Sequence, residues 1–209
     1  DGLSAYHSLQ VTVEKRYSSG LNFLSSYTYS HSIDDVPLQE GGGADGPIPQ
    51  DPRYRYLDFA SSSFDIRHRF TEAINYQLPF GRGKRFDLGK SWVNKAFGDW
   101  QVNLIFTAQS GLPFTPVLAN STTNTGTSSR PNLVSGVNAA LPNPTISDWF
   151  NTSFGVPGAV WATPAQYTYG DAGRNILRGP GRTNVDFSLF KDYGVTERVH
   201  LQLRGELFN

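Results

Sequence analysis

The feature that most constrains this chain is an alternation of apolar and polar residues with a period of two, sustained over segments of ten residues or more. Successive side chains of a β-strand point to opposite faces, so this period predicts strands with one apolar and one polar face. In the segment 99–112 the apolar positions are Trp100, Val102, Leu104, Phe106 and Ala108. The same pattern predicts strands at 5–17, 21–32, 64–79, 99–112, 183–193 and 198–208.

The predicted strands are long for a soluble protein. Soluble strands usually have about 5–6 residues, whereas a tilted strand needs about 9–11 residues to cross the hydrocarbon of a bilayer. In lipid every backbone N–H and C=O must be bonded within the protein, so spanning strands close into a barrel with apolar residues outside. We therefore predict an all-β fold, an antiparallel segment of a transmembrane β-barrel built from long membrane-spanning hairpins.

The connections between these strands are of two lengths. Turns at 18–20, 80–98 and 194–197 fall on one side of the predicted sheet, and loops at 33–63 and 113–181 fall on the other. Bacterial barrels keep short turns on the periplasmic side and long loops outside the cell. We therefore expect 33–63 and 113–181 to be extracellular loops, although 80–98 is long for a periplasmic turn.

Composition supports a membrane location and excludes several other classes. Only 17% of the residues are charged, against about 25% in soluble domains, and 18 basic residues balance 18 acidic ones, so nucleic acid is not an expected partner. The chain has no Cys for disulfides or thiolate metal sites, and it has no apolar run long enough for a transmembrane helix. Without Met, and with six strands against the eight of the smallest barrels, we expect a fragment of a larger barrel.

Several motifs occur in order along nearly the whole chain. They are YHSLQVTVEKRY at 6–17, SYTYSHSIDD at 26–35, FDIRHRF at 64–70, LPFGRGK at 78–84, QSGLPF at 109–114, GRNILRGPG at 173–181 and DFSLFK at 186–191. Together they resemble the barrel of Oar-like TonB-dependent receptors, large outer-membrane receptors common in Acidobacteria. The ordered set is specific, whereas one motif alone would be weak.

The resemblance implies the C-terminal barrel portion of a receptor in the bacterial cell outer membrane. Such a barrel has 22 strands, and an N-terminal plug domain, absent from these 209 residues, fills its lumen. The implied partners are outer-membrane lipid, the TonB energy-transducing complex acting through the plug, and a transported substrate. A siderophore or other small molecule, an oligosaccharide and a peptide all remain open, because fold analogy cannot choose among them.

Two other classes remain open from the residues alone. A soluble β-sandwich module that binds carbohydrate also shows period two, and a β-rich hydrolase is the weakest alternative. The sequence has no Gly-x-Ser-x-Gly motif and no carboxylate pair in a recognisable framework. We therefore predict no enzyme activity, no catalytic residue and no cofactor.

Aromatic residues fall in two groups. Those at strand ends suit the interfacial girdles of a barrel, and they are Tyr17, Tyr27, Tyr29, Tyr76, Trp100 and Tyr193. Those within 113–181 are candidate ligand contacts, and they are Trp149, Trp161, Tyr167 and Tyr169. The second group could stack on a sugar or another ligand, or it could pack the loop against itself.

Acidic residues in the loop at 33–63 are candidate ligands for calcium. Asp34, Asp35, Asp45 and Asp51 could ligate Ca²⁺, but the EF-hand spacing is absent, and acidic loop residues are more often solvated. The four His residues show no metal-binding spacing. No metal site is predicted, and calcium binding by the loop stays open.

Two polar residues interrupt the apolar face of the strand predicted at 64–79. His68 and Glu72 fall on that face, where a charge at mid-depth is costly. Either the register shifts at a bulge, or both residues lie near an interface.

Three arginines fall on predicted polar faces. Arg67, Arg69 and Arg204 could line the lumen and contact the plug, or they could pair with acidic residues in the barrel wall. The acidic candidates are Glu14, Asp186 and Glu206. Pairing within the wall is the favoured interpretation.

Overall fold

The computed structural model describes residues 2–35, 49–124, 129–194 and 198–209. Its long strands are β1 (Ser4–Ser18), β2 (Leu21–Asp34), β4 (His68–Gln77), β5 (Trp100–Gln109), β10 (Arg182–Gly194) and β11 (His200–Leu207). The shorter elements are a 3₁₀ helix (Pro52–Asp58), β3 (Ala60–Ser61), helix α1 (Ser91–Phe97), β6 (Pro113–Phe114), β7 (Asn132–Leu133), β8 (Trp161–Ala162) and β9 (Leu177–Arg178). None of the described helices is long and apolar enough to cross a membrane.

The long strands form one antiparallel sheet in the order β1-β2-β4-β5-β10-β11, and β3 pairs with β2. A long strand overlaps each of the six predicted segments, and the predicted all-β antiparallel fold is confirmed. The register of β4 on β5 runs without interruption from Arg69 opposite Gln109 to Gln77 opposite Gln101. Within the described residues β1 and β11 are the edges of this sheet, so the barrel is not closed by these strands alone.

The turn of the first hairpin lies within the predicted segment 18–20 and consists of the two residues between β1 and β2. Ser19 and Gly20 both have positive φ, 54° and 81°. Two consecutive positive φ values define the turn type whose twist matches that of paired strands. A side chain at Gly20 would also meet the carbonyl oxygen of Gln77 at 2.8 Å. The predicted turn at 194–197 lies largely outside the described residues.

Strand β4 is shorter than the predicted segment 64–79. Residues 64–67 are not in the strand, because Asp65 is buried and takes part in the ion pairs of the first loop. The connection from β4 to β5 contains α1, which ends at Phe97 with Gly98 as its C-cap. The buried side chain of Asn94 accepts a hydrogen bond from the Leu88 N–H at 3.1 Å. The period-two pattern gave no indication of this helix.

The chain divides into two compact units. The strand unit contains residues 9–29, 68–109 and 182–209, and the loop unit contains residues 1–8, 30–67 and 110–181. The loop unit has its own small apolar core, formed by Val160, Trp161, Ala172 and Leu177, with Phe114 and Phe150 packed against it. Short strands β6 to β9 pair within this unit, β6 with β9 and β7 with β8.

Candidate functional site

The strand unit has one apolar face, and the register aligns it across four strands. Phe106 lies opposite Val185, Leu104 opposite Phe187 and Ile74, and Val102 opposite Leu189 and Tyr76. On β11 the same face carries Leu201, Leu203 and Leu207. These side chains form a stripe that continues from strand to strand, as lipid contact requires.

The opposite face of the same strands is polar. Asn103 lies between Asn75 and Ser188, and Thr107 lies between Thr71 and Asn184. Near the end of the strands that leads into the long connections, Arg69 and Arg182 flank Gln109 from both sides. A cleft of about 390 Å³ lies there, lined by Arg69, Thr107, Gln109, Arg182 and Asn184. Two guanidinium groups with no acidic residue in the lining suit an anionic group such as a carboxylate or phosphate.

His68 and Glu72 both lie on the apolar face, and neither sits at a bulge, because the registers of β4 with β2 and β5 are continuous. The bulge explanation is therefore wrong. His68 begins β4, and its Nδ1 lies 2.8 Å from the hydroxyl of Tyr27, which fits an interface position. Glu72 is the fifth residue of β4, away from the strand ends, and it accepts a hydrogen bond from the Ser25 hydroxyl.

The three arginines assigned to polar faces have different surroundings. Arg204 pairs with Glu206 at 2.7 Å, as wall pairing predicts. Arg67 lies outside β4, and its partner is Asp65 at 2.9 Å, not one of the acidic residues expected in the wall. Arg69 lines the polar cleft described above.

Buried ion pairs hold the loop unit together. Arg174 pairs with Asp34, and Arg130 pairs with Asp58; all four residues are buried. These partners are separated by 140 and 72 residues along the chain. A buried charge is costly unless it is paired, so each pair fixes the two long connections to one another within this unit.

A third cluster surrounds Asp65. Its carboxylate accepts hydrogen bonds from the Ser32 N–H at 2.7 Å, from Arg67 and from Arg178. Burial raises the pKa of Asp65, but the Ser32 amide and the guanidinium groups of Arg178 and Arg67 lower it by more. The pKa of this carboxyl therefore lies below its ordinary value, and Asp65 is ionised at neutral pH.

The acidic residues considered for calcium have other partners where the structure describes them. Asp34 pairs with Arg174, Asp35 pairs with Arg55 at 3.6 Å, and Asp51 pairs with Arg53 at 2.8 Å. The side-chain hydrogen bond from Arg53 lowers the pKa of Asp51. Asp45 lies outside the described residues. Within the described part of the chain no group of three or more acidic or His residues is placed to hold a metal ion.

The four candidate ligand-contacting aromatics are not equally accessible. Trp161 is only 4% exposed, and its indole N–H donates to the Asn151 carbonyl at 2.7 Å. Trp149 is half-buried and donates to the Arg178 carbonyl at 2.6 Å. Tyr167 is 72% exposed, and Tyr169 is half-buried. Trp161 therefore packs the loop unit, whereas the ring of Tyr167 is open to solvent.

The backbones at Gly111 and Gly179 approach each other closely within the loop unit. A Cβ atom at Gly111 would lie 1.8 Å from the carbonyl oxygen of Gly179, and the Gly179 N–H donates to the Leu112 carbonyl at 2.9 Å. Only glycine fits so close an approach of two backbones. The segment Gly179-Pro180-Gly181 is followed by β10 and not by a helix, so it returns the chain to the sheet.

Long antiparallel strands with one apolar and one polar face, joined to a folded loop unit, define the wall of a transmembrane β-barrel. The chain belongs to the outer membrane beta barrel domain family, whose family model matches residues 1–209. No curated protein and no solved structure matches the chain. The protein is therefore located in the bacterial outer membrane, with its apolar face in contact with lipid, and the soluble β-sandwich alternative is not favoured.

Proposed function

We propose that this chain forms part of the barrel of an Oar-like TonB-dependent receptor, which takes up a substrate across the outer membrane by energy coupling and catalyses no reaction. The ordered motifs from 6–17 to 186–191 support this assignment within the barrel family. In this proposal the polar face borders a plug domain elsewhere in the full-length protein, and TonB acts through that plug. The long connections face the outside of the cell, and the turns face the periplasm.

The observation that carries the proposal is the loop unit. The connection 113–181 has an apolar core, and buried Arg–Asp pairs join it to the connection 33–63, so the two form a preorganised surface. Binding residues are often found on loops held by a rigid scaffold, and preorganisation lowers the entropic cost of binding. A surface receptor needs such a unit, whereas a simple anchoring barrel does not.

The polar face offers a second support. Amide and hydroxyl side chains at Asn75, Asn103 and Thr107 can hydrogen-bond to a hydrated lumen or to a plug. The cleft between Arg69 and Arg182 would favour an anionic group, either on the plug or on a substrate that passes it. The substrate class itself stays open among siderophores, oligosaccharides and peptides.

Photocrosslinking in the full-length protein tests for the plug. A photoreactive phenylalanine analogue replaces Asn103 on the polar face, and the matched control replaces Leu104, its neighbour on the apolar face. We expect Asn103 to crosslink to another domain of the same chain and Leu104 to give only lipid adducts. If position 103 gives no intrachain product and the protein conducts ions as an open channel in planar bilayers, the receptor proposal is wrong and a porin-like role replaces it.

Uptake assays test the energy coupling. Cells expressing the full-length protein are given a labelled ferric siderophore, a maltodextrin and a tripeptide, with and without a protonophore. We expect uptake of one of the three to stop with the protonophore and in a strain that lacks TonB. Uptake that persists under both conditions contradicts energy coupling.

A further inference from the structure

A large cleft lies on the apolar face of the strand unit, at the end of the sheet where the turns are. The connection between β4 and β5 lines it together with β10 and β11, and its volume is about 920 Å³. Leu201 and Leu203 contribute an apolar lining, and Tyr193 lies opposite Leu201 in the register. Ligand sites typically have volumes of about 300–1,000 Å³, so the cleft can hold a ligand.

A buried cation lies in this cleft. The register places Lys191 opposite Trp100 and Leu203, on the apolar face, and the residue is only 3% exposed. Its ammonium group donates a hydrogen bond to the Gly98 carbonyl and lies 4.8 Å from the centre of the Tyr193 ring. An ammonium group has three donors, and Lys191 forms no ion pair within the described residues, with Asp99 acting on it only at longer range. The Lys191 ammonium group therefore retains N–H donors that can bind an anion.

Two more cations line the cleft. Arg82 and Lys95 are exposed, and neither forms an ion pair in the described part of the chain. The nearby carboxylate of Asp87 already accepts hydrogen bonds from the Asn94 amide at 2.7 Å and from the Gly89 N–H at 2.9 Å. Asp99 and Asp192 line the cleft as well, so its formal charge is balanced, and Asp192 accepts a hydrogen bond from the Gln202 amide at 2.8 Å. Arg82, Lys95 and Lys191 provide the donors for an anion beside the two leucines.

The depth of the cleft matches the headgroup region of a bilayer. Trp100 is the first residue of β5, and Tyr193 is next to last in β10, so both rings are at the turn ends of their strands. Trp92 and Phe97 of α1 are 66% and 63% exposed. Aromatic residues concentrate at membrane interfaces, where an amphipathic ring contacts both lipid and water.

We propose that this cleft binds a glycerophospholipid of the leaflet on the turn side, with the lipid phosphate between Arg82, Lys95 and Lys191. An acyl chain lies over Leu201 and Leu203, which continues the apolar stripe of the sheet. The combination of three cations with an adjoining leucine surface selects a phospholipid over free phosphate, which has no apolar part. The proposal depends on the membrane location of the barrel and not on TonB coupling.

Native mass spectrometry of the full-length protein tests the site. The purified protein is mixed with dioleoylphosphatidylglycerol or dioleoylphosphatidylethanolamine, and lipid-bound species are counted. Dioleoylglycerol, which lacks the phosphate, is the matched probe. We expect one tightly held phospholipid and at least about tenfold weaker binding in the double variant R82Q/K95Q, since each basic residue near a lipid phosphate contributes substantially.

The control is the double variant K84Q/K90Q. It removes the same charge from the same connection, but neither residue lines the cleft. K191M is a second, independent variant that should also weaken binding, and folding of all variants is checked by the shift in SDS mobility on heating. Equal binding of dioleoylglycerol, equal loss in K84Q/K90Q, unchanged binding in both R82Q/K95Q and K191M, or displacement of the lipid by inorganic phosphate would each overturn the proposal.

Discussion

The hydroxyl of Ser25 donates a hydrogen bond to the carboxylate of Glu72 across the β2–β4 pair, on the face of the sheet that contacts lipid. The two residues lie directly opposite each other in an unbroken register. A carboxylate at this position is costly in hydrocarbon, and the paired hydroxyl offsets part of that cost.

Substitution of Ser25 by Ala should therefore destabilise the barrel. It leaves Glu72 without this partner, and we expect a loss of about 1–3 kcal/mol in the free energy of unfolding. The double variant S25A/E72L should recover that loss, because replacing both partners by apolar groups can be neutral or stabilising. Urea unfolding of the full-length protein in lipid vesicles measures both, with S188A on the polar face as the control. Equal stability of S25A and S188A would contradict this role for Ser25.

Alanine at Gly111 should disrupt the loop unit. Its Cβ atom would overlap the Gly179 carbonyl oxygen, so one backbone segment would have to move, at a cost of more than about 2 kcal/mol. G136A is the matched control, since Gly136 has φ +81° but no atom within 4 Å of an added Cβ, and only its backbone conformation opposes the change. The amount of heat-modifiable protein in the outer membrane is the measurement. A G111A variant that accumulates as well as G136A would show that this close approach is not required.

Removal of the Arg174 guanidinium should loosen the loop unit far more than removal of an exposed one. In R174M the buried Asp34 loses its ion pair with the Arg174 guanidinium. Breaking a buried pair of this kind lowers the free energy of unfolding by about 3–5 kcal/mol. R16M removes a side chain that is 90% exposed and whose partner, Glu14, is exposed as well, and we expect no measurable change from it. Limited proteolysis of the two variants compares the cleavage rates within 110–181. Similar rates would mean that the buried pair does not hold the unit.

The strands could be predicted from the sequence because lipid on one side and polar groups on the other impose a period of two. The structure has β5 at Trp100–Gln109, within the predicted segment 99–112. It has β11 at His200–Leu207, within the predicted segment 198–208. The pattern fails where tertiary contacts override it, as at Asp65, whose ion pairs take residues 64–67 out of the strand. Helix α1 has no period-two signal and no side-chain N-cap, so it was not predicted.

The ion pairs of the loop unit could not be predicted. Arg174 and Asp34 are separated by 140 residues, and nothing in a single sequence states that they meet. The cleft around Lys191 was missed for a different reason. Lys191 follows Val185, Phe187 and Leu189 with the same alternation, so the sequence pattern places it on the apolar face. The pattern does not predict that the residue is buried near α1 and the connection between β4 and β5.

The hydrogen bond from the Ser32 amide to Asp65 should depend on pH. The pKa of Asp65 in the folded protein lies below its ordinary value of 3.8, so its stabilisation is fully present above about pH 4. It is lost as the pH falls through the lower folded pKa. We expect the hydrogen-exchange protection of the Ser32 amide to stay constant down to about pH 4 and to fall as the pH drops further below 3.8. D65N should show a constant, lower protection over that range.

The control for this measurement lies in the same unit. The Leu118 amide donates to the Ser129 carbonyl at 2.8 Å, a bond with no titrating acceptor. Its protection should stay constant until the unit unfolds. If both amides lose protection in parallel, global acid unfolding explains the result and not the ionisation of Asp65.

Alanine substitutions at Trp161 and Tyr167 should separate a packing role from a binding role. W161A removes a buried ring from the core formed with Val160 and Leu177, and such truncations cost about 3–5 kcal/mol, so the loop unit should become sensitive to protease. The ring of Tyr167 is exposed, and Y167A should leave protease resistance unchanged. If the loop unit receives substrate, Y167A lowers uptake of the transported compound while the amount of folded protein stays the same. If only W161A loses uptake, and the folded loop unit is lost with it, the result would contradict a binding role for Tyr167 and leave Trp161 with a packing role.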